Sequence, residues 1–146
     1  MSTTRRYCAF RVGDLLLGVP VECVQEVLRP LDITFVPLAP PAVSGLINLR
    51  GEIVTAIDLR CRLGIPARAE GDARPMNVVV RAGEGPVSLL VDDIVDVIEV
   101  SDQQFEMVPE TAARAGRDLF IGVYKLEKSL LLALDPERAT QVGLTP

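Results

Sequence analysis

Apolar residues along this chain come in short runs whose spacing changes from segment to segment. Tyr7–Val12 and Leu15–Val19 are two such runs split by Gly13-Asp14, which predicts a β-hairpin. Ile53–Leu59 is a continuous apolar run rich in β-branched residues, and Leu130–Leu134 repeats its character; both predict buried strands. Two segments differ. After Pro20, residues Val21, Val24, Val27 and Leu28 fall on one face at helical spacing, as do Val91, Ile94, Val97 and Ile98. Each is predicted as a short helix. The stretch from Gly64 to Pro75 is polar and rich in Gly, Pro and Ala, and reads as a linker.

The pattern occurs twice. Val21–Leu28 lies over Val91–Ile98 at an offset of 70, and Ala9-Phe10-Arg11 lies over Val79-Val80-Arg81 at the same offset. Val36-Pro37 matches Val108-Pro109 at an offset of 72, and Gly45–Asp58 matches Gly122–Asp135 at 77. Four blocks in the same order with slowly growing offsets mean two copies of one unit with loop insertions between blocks. The expected organisation is a single domain over residues 1–146. It holds one repeat at about 5–64, a linker at about 65–75 and a second repeat at about 76–138, with strands free to exchange between them. The expected fold class is mainly β, two pseudo-equivalent five-stranded barrels with short helices, because short strands with frequent turns favour small barrels. A unit of some 60 residues is marginal alone, so the copies must lean on each other.

Composition narrows the function. Among 146 residues, 49% are hydrophobic, Lys and Arg number 15 against 20 Asp and Glu, and there is no His and no Trp. The hydrophobic fraction excludes intrinsic disorder, and no apolar run approaches the length of a membrane-spanning helix. The net charge of -5 argues against nucleic acid, whose phosphates call for Lys and Arg. Without His the commonest general base and metal ligand are missing. Arg11 and Asp14 interrupt the N-terminal apolar stretch before it reaches the length of an export signal, which points to the cytoplasm. Cys8, Cys23 and Cys61 are odd in number and have no C-x-x-C spacing, so they read as reduced small hydrophobes. Ser88, Ser101 and Ser129 have no base to activate them, and no Gly-rich phosphate loop stands between a strand and a helix. No enzymatic activity, cofactor or metal is expected.

The copies diverge at the turn before the long strand. The first has Asn48-Leu49-Arg50-Gly51, the second Lys125-Leu126-Glu127-Lys128. Gly51 suits a turn that needs a positive φ, and Asn48 can brace it. Arg50 would then project from a rigid hairpin toward a carboxylate, although a simple solvated turn residue fits the same pattern. Val21, Val24 and Ile94 form an apolar face that either lines a groove for a partner helix or belongs to the core. Glu26 reads as solvated. Asp92-Asp93 reads as an acidic pair at a helix N-terminus.

The string Val43-Ser-Gly-Leu-Ile-Asn-Leu-Arg-Gly-Glu-Ile-Val-Thr-Ala-Ile-Asp-Leu-Arg60 strongly resembles the signature of CheW-like domains, the chemotaxis coupling proteins. Val24-Gln-Glu-Val27, Ile33-x-x-Val-Pro37, Leu90-Val-Asp92 with Val95-x-Val97, and Leu132-x-Leu-Asp135 extend the resemblance from Tyr7 to Arg138. It departs at Thr55, where many members carry Pro, and at Leu17, where an aromatic is frequent.

The resemblance implies a non-catalytic adaptor that ties the cytoplasmic tips of methyl-accepting chemoreceptors to the regulatory domain of a CheA-type histidine kinase. It implies recruitment to membrane-associated receptor arrays without insertion into the membrane. It also implies a receptor-binding role for Val21, Val24, Glu26, Arg50 and Ile94, with Asn48 and Gly51 forming the motif turn. Two alternatives stay open. One is a divergent adaptor of a non-flagellar system that binds only one partner; the other is an oligonucleotide-binding module, which would want a basic groove and stacking aromatics.

Overall fold

The computed structural model describes residues 3–83, 85–108 and 117–141. The first half supplies strands β1 (Thr4–Val12), β2 (Leu15–Pro20), β3 (Val24–Leu28), β4 (Val43–Leu49) and β5 (Glu52–Asp58), then the short helix α1 (Leu59–Arg62). The second supplies β6 (Met76–Ala82), β7 (Gly85–Val91), β8 (Asp93–Ser101), β9 (Phe105–Glu106), β10 (Phe120–Lys125) and β11 (Leu130–Leu134), then α2 (Pro136–Thr140). The predicted hairpin at Gly13-Asp14 and both long apolar strands are present.

The strands form two sheets, ordered β8-β1-β2-β11-β10-β9 and β3-β6-β7-β5-β4. Setting the repeats side by side, β1 to β5 correspond to β6, β7, β8, β10 and β11, and both sheets then have one and the same order. Each repeat gives its first hairpin to the other's sheet. The parallel joins that complete the exchange are equivalent residue by residue: Leu132 opposite Leu17 in one sheet, Thr55 opposite Val87 in the other. The sixth strand of the larger sheet is the two-residue β9, and its counterpart in the smaller sheet is a single bridge from Thr34 to Leu46. Gly45 and Gly122 make room for these crossings. A Cβ at Gly45 would collide with the Thr34 carbonyl oxygen, and one at Gly122 with the Phe105 ring.

Exchange explains why β1 and β6 each carry four consecutive buried residues, Tyr7–Phe10 and Asn77–Val80. Both are interior strands buried on both faces. Phe10 and Val12 of β1, with Val78 and Val80 of β6, enter a cluster shared between the sheets, completed by Leu17, Val19, Ile57, Leu89, Val91 and Leu134. The other face of β1 meets Tyr124 and Leu131 in a cluster private to the larger sheet. That of β6 meets Ile47, Val54 and Leu90 in one private to the smaller. Burial of the shared side chains, each worth roughly 1.5–3 kcal/mol, joins the two sheets.

The two predicted helices are not helices. Val21–Cys23 is a single 3-10 turn and Val24–Leu28 is a strand; Val91 ends β7 and Asp93–Ser101 is a strand. Both strands are interrupted by β-bulges, at Gln25 in β3 and Val95 in β8. A turn followed by a bulged strand places its inward residues at intervals of three and four, which imitates helical periodicity. The real helices start where Asp58 and Asp135 cap them, each accepting a backbone N–H from two residues ahead. Asp92-Asp93 is therefore not at a helix N-terminus. The repeat block Val108-Pro109 ends on Pro109, outside the described residues.

Candidate functional site

β4 and β5 are joined by the two residues Arg50 and Gly51, with φ of 52° and 88°. Two consecutive positive φ values define the tight hairpin turn whose twist matches that of the strands. Gly51 adopts its angle freely, whereas Arg50 holds an angle that L side chains resist. The Gly51 N–H donates to Asn48 Oδ1 at 2.8 Å, closing the turn from its polar side.

From this turn the Arg50 guanidinium reaches Glu26 on β3. Nη1 and Nη2 each donate to one carboxylate oxygen at 2.6 Å, a bidentate pair. The twin hydrogen bonds hold the Glu26 carboxyl below the usual carboxylate range. Arg50 keeps 69% of its side chain exposed against 20% for Glu26, so the pair stays within reach of a partner. Glu26 is therefore not simply solvated.

β3 and β8 are pseudo-equivalent terminal strands of their sheets. Val24 and Ile94 occupy matching positions and both pack, half-buried, against the shared cluster. Val27 and Val97 also match, and these are exposed, as is Val95 at the bulge. The exposed valines are the apolar residues that sequence reasoning missed as candidates; with strands in place of helices, alternation would have found them. Val21 lies apart from the Arg50 turn, in an open depression of about 550 Å³ lined also by Arg5, Arg6, Glu22 and Glu99. Along β8 the N–H groups of Ile94 and Val97 donate to the carboxylates of Asp93 (3.0 Å) and Asp96 (2.7 Å). Amides paired in this way are not free to add a further strand.

Comparison with known proteins decides the family. The profile of the CheW-like domain matches residues 6–142. The chain belongs to the CheW-like family. It is 34% identical to the chemotaxis protein CheW of Rhizobium meliloti over 131 residues, covering 90% of this chain and 84% of that protein. It is 29% identical to the Helicobacter pylori CheW over 133 residues, 90% of this chain and 79% of that one. The crystal structure of the scaffolding protein TtCheW from Thermoanaerobacter tengcongensis superposes with a TM-score of 0.85 at 25% identity, over 97% of this chain and 90% of that one. The mainly β, CheW-like fold expected from the signature is thus present, as two sheets of six and five strands. Among the described residues of this CheW-like chain no helix is long and apolar enough to cross a membrane.

Proposed function

We propose that this chain is a non-catalytic adaptor that couples methyl-accepting chemoreceptors to a CheA-type histidine kinase in chemotaxis signalling. The receptor's helical tip lies along the surface bordered by β3 and β8. Exposed Val27, Val95 and Val97 supply apolar contact, together with half-buried Val24 and Ile94 and with Val21. Arg50 and Glu26 supply the polar partners. The observation that carries this reading is an exposed arginine, fixed by a strained two-residue turn and aligned by a half-buried glutamate, in a chain of the CheW-like family. A fixed, exposed cation together with exposed apolar side chains suits an amphipathic helix. The kinase regulatory domain binds elsewhere on the chain, so both partners are held at once. Family membership does not favour the oligonucleotide-binding alternative or an adaptor that binds only one partner.

Titration of the purified chain with a fragment of receptor cytoplasmic tip tests the reading. Saturable binding is expected, weakened about tenfold or more in Arg50→Glu with an unchanged circular dichroism spectrum. No binding by the unaltered chain, or equal binding by the variant, contradicts it.

A further inference from the structure

Asp92 collects more polar partners than any residue in the site just described. It sits in the corner between β7 and β8, one residue before β8 begins. Its Oδ2 accepts the Gly13 N–H from the turn of the first hairpin at 2.6 Å and Arg60 Nη2 at 2.7 Å; its Oδ1 accepts Arg60 Nε at 3.0 Å and Arg68 Nη2 at 2.6 Å. Its own N–H donates to the Arg11 carbonyl at 2.9 Å. Arg60 also donates to the Pro66 carbonyl, and Arg68 lies 3.6 Å from Asp58. Arg60, Arg68 and Asp92 expose only 16–22% of their side chains. Three separate segments of chain therefore converge on one carboxylate: a hairpin turn, helix α1 and the connection between the repeats.

Among the described residues the other repeat has nothing like it. The position equivalent to Asp92 is Glu22, which is exposed, and the one equivalent to Arg60 is Glu137. What the copies share is explained by the fold they share, so a cluster held by one copy alone calls for another reason. Each of the two pseudo-equivalent strands of the proposed binding surface is fixed by a different acid–arginine set: β3 by Glu26 with Arg50, β8 by Asp92 with Arg60 and Arg68.

We propose that Asp92, Arg60 and Arg68 are positioning residues that set where β8 presents Val95 and Val97 to the partner, without touching the partner themselves. The proposal rests on the receptor reading above. Removing the Asp92 charge releases all three segments at once, and the corner that launches β8 loses its fixed point. The half-buried ion pairs are screened less by salt than a surface pair would be, so the arrangement holds at cellular ionic strength.

Two measurements on the full chain test this. In free Asp92→Asn, hydrogen exchange at the amides of Ile94 to Val97 should rise about tenfold or more relative to those of β5 and β11. In binding to the receptor-tip fragment, Asp92→Asn should weaken affinity about fivefold. Its effect should be non-additive with Val97→Ala and additive with Arg50→Ala. General destabilisation gives no such selectivity, because the chain remains folded under binding conditions. Arg68→Gln, which removes one arm only, should show the same pattern more weakly and serves if Asp92→Asn does not fold. Unchanged exchange along β8, or additivity with Val97→Ala, overturns the proposal. If the unaltered chain fails to bind the fragment, the receptor reading fails, and the exchange measurement alone decides the positioning role.

Discussion

Arg50 and Glu26 face each other across two sheet elements that share no hydrogen-bonded pairing, with both guanidinium–carboxylate bonds at 2.6 Å. The pair joins the β4–β5 turn to β3, which lies at the far side of the same sheet. An exposed ion pair contributes little to stability. Its geometry serves presentation instead, since Glu26 fixes the direction in which a largely exposed cation points. Arg50→Asn should therefore leave the thermal midpoint unchanged or slightly higher, because Asn accepts a positive φ more readily than Arg. The same change should abolish most of the receptor affinity. Thermal unfolding and titration on one preparation separate the two effects.

Gly51 is the second half of that turn, with φ of 88°. Gly51→Val should cost about 1–2 kcal/mol, because a β-branched side chain is forced into a backbone region it avoids. Denaturant unfolding measures the loss. Space is not the cause, as nothing lies within 4 Å of a Cβ placed there.

Leu17 stands fully buried at the parallel join between β2 and β11, opposite Leu132. Leu17→Ala should cost about 2–5 kcal/mol through lost burial and the cavity it leaves. Because the join holds an exchanged hairpin, the loss should appear in one cooperative transition for the whole chain. Two separate transitions would show that the sheets fold independently.

Asp92 gives the chain a predictable acid response. Burial alone would raise its carboxyl pKa, but the hydrogen bonds from Arg60 and Gly13 and the charges of Arg68 and Arg60 outweigh it, so the group sits below its ordinary value of 3.8. A depressed folded-state pKa contributes stability above the unfolded value, and that contribution is lost as pH falls through the folded one. The stability gap between the native chain and Asp92→Asn should therefore be constant near neutrality and shrink below about pH 4. Urea midpoints across that range test it; a gap that widens on acidification contradicts the assignment.

The mainly β fold was legible in the amino-acid sequence from its short apolar runs and turn residues. The offsets of 70 and 77 reappear as equivalent strand pairings, down to Leu132 over Leu17 and Thr55 over Val87. The turn of Asn48, Arg50 and Gly51 was legible because glycine and asparagine have few other reasons to sit in that order. β3 and β8 were misread because bulges at Gln25 and Val95 shift a two-residue alternation into helical spacing. Asp92 was misread because its partners Gly13, Arg60 and Arg68 lie 79, 32 and 24 residues away. Local patterning carries no trace of contacts that depend on which hairpin is exchanged into which sheet. Glu26 was singled out only through the family resemblance; local patterning read it as solvated, because its pairing depends on a turn 24 residues further along.

In the proposed function one chain holds receptor and kinase together. Sedimentation of a receptor-tip assembly with the kinase regulatory domain, in the presence and absence of this chain, tests it most directly. The kinase domain should sediment with the receptor only when the chain is added, and Arg50→Glu should abolish this transfer while still binding the kinase domain in solution. A kinase domain that stays in the supernatant with the unaltered chain present, at concentrations where each pair is saturated, would contradict it.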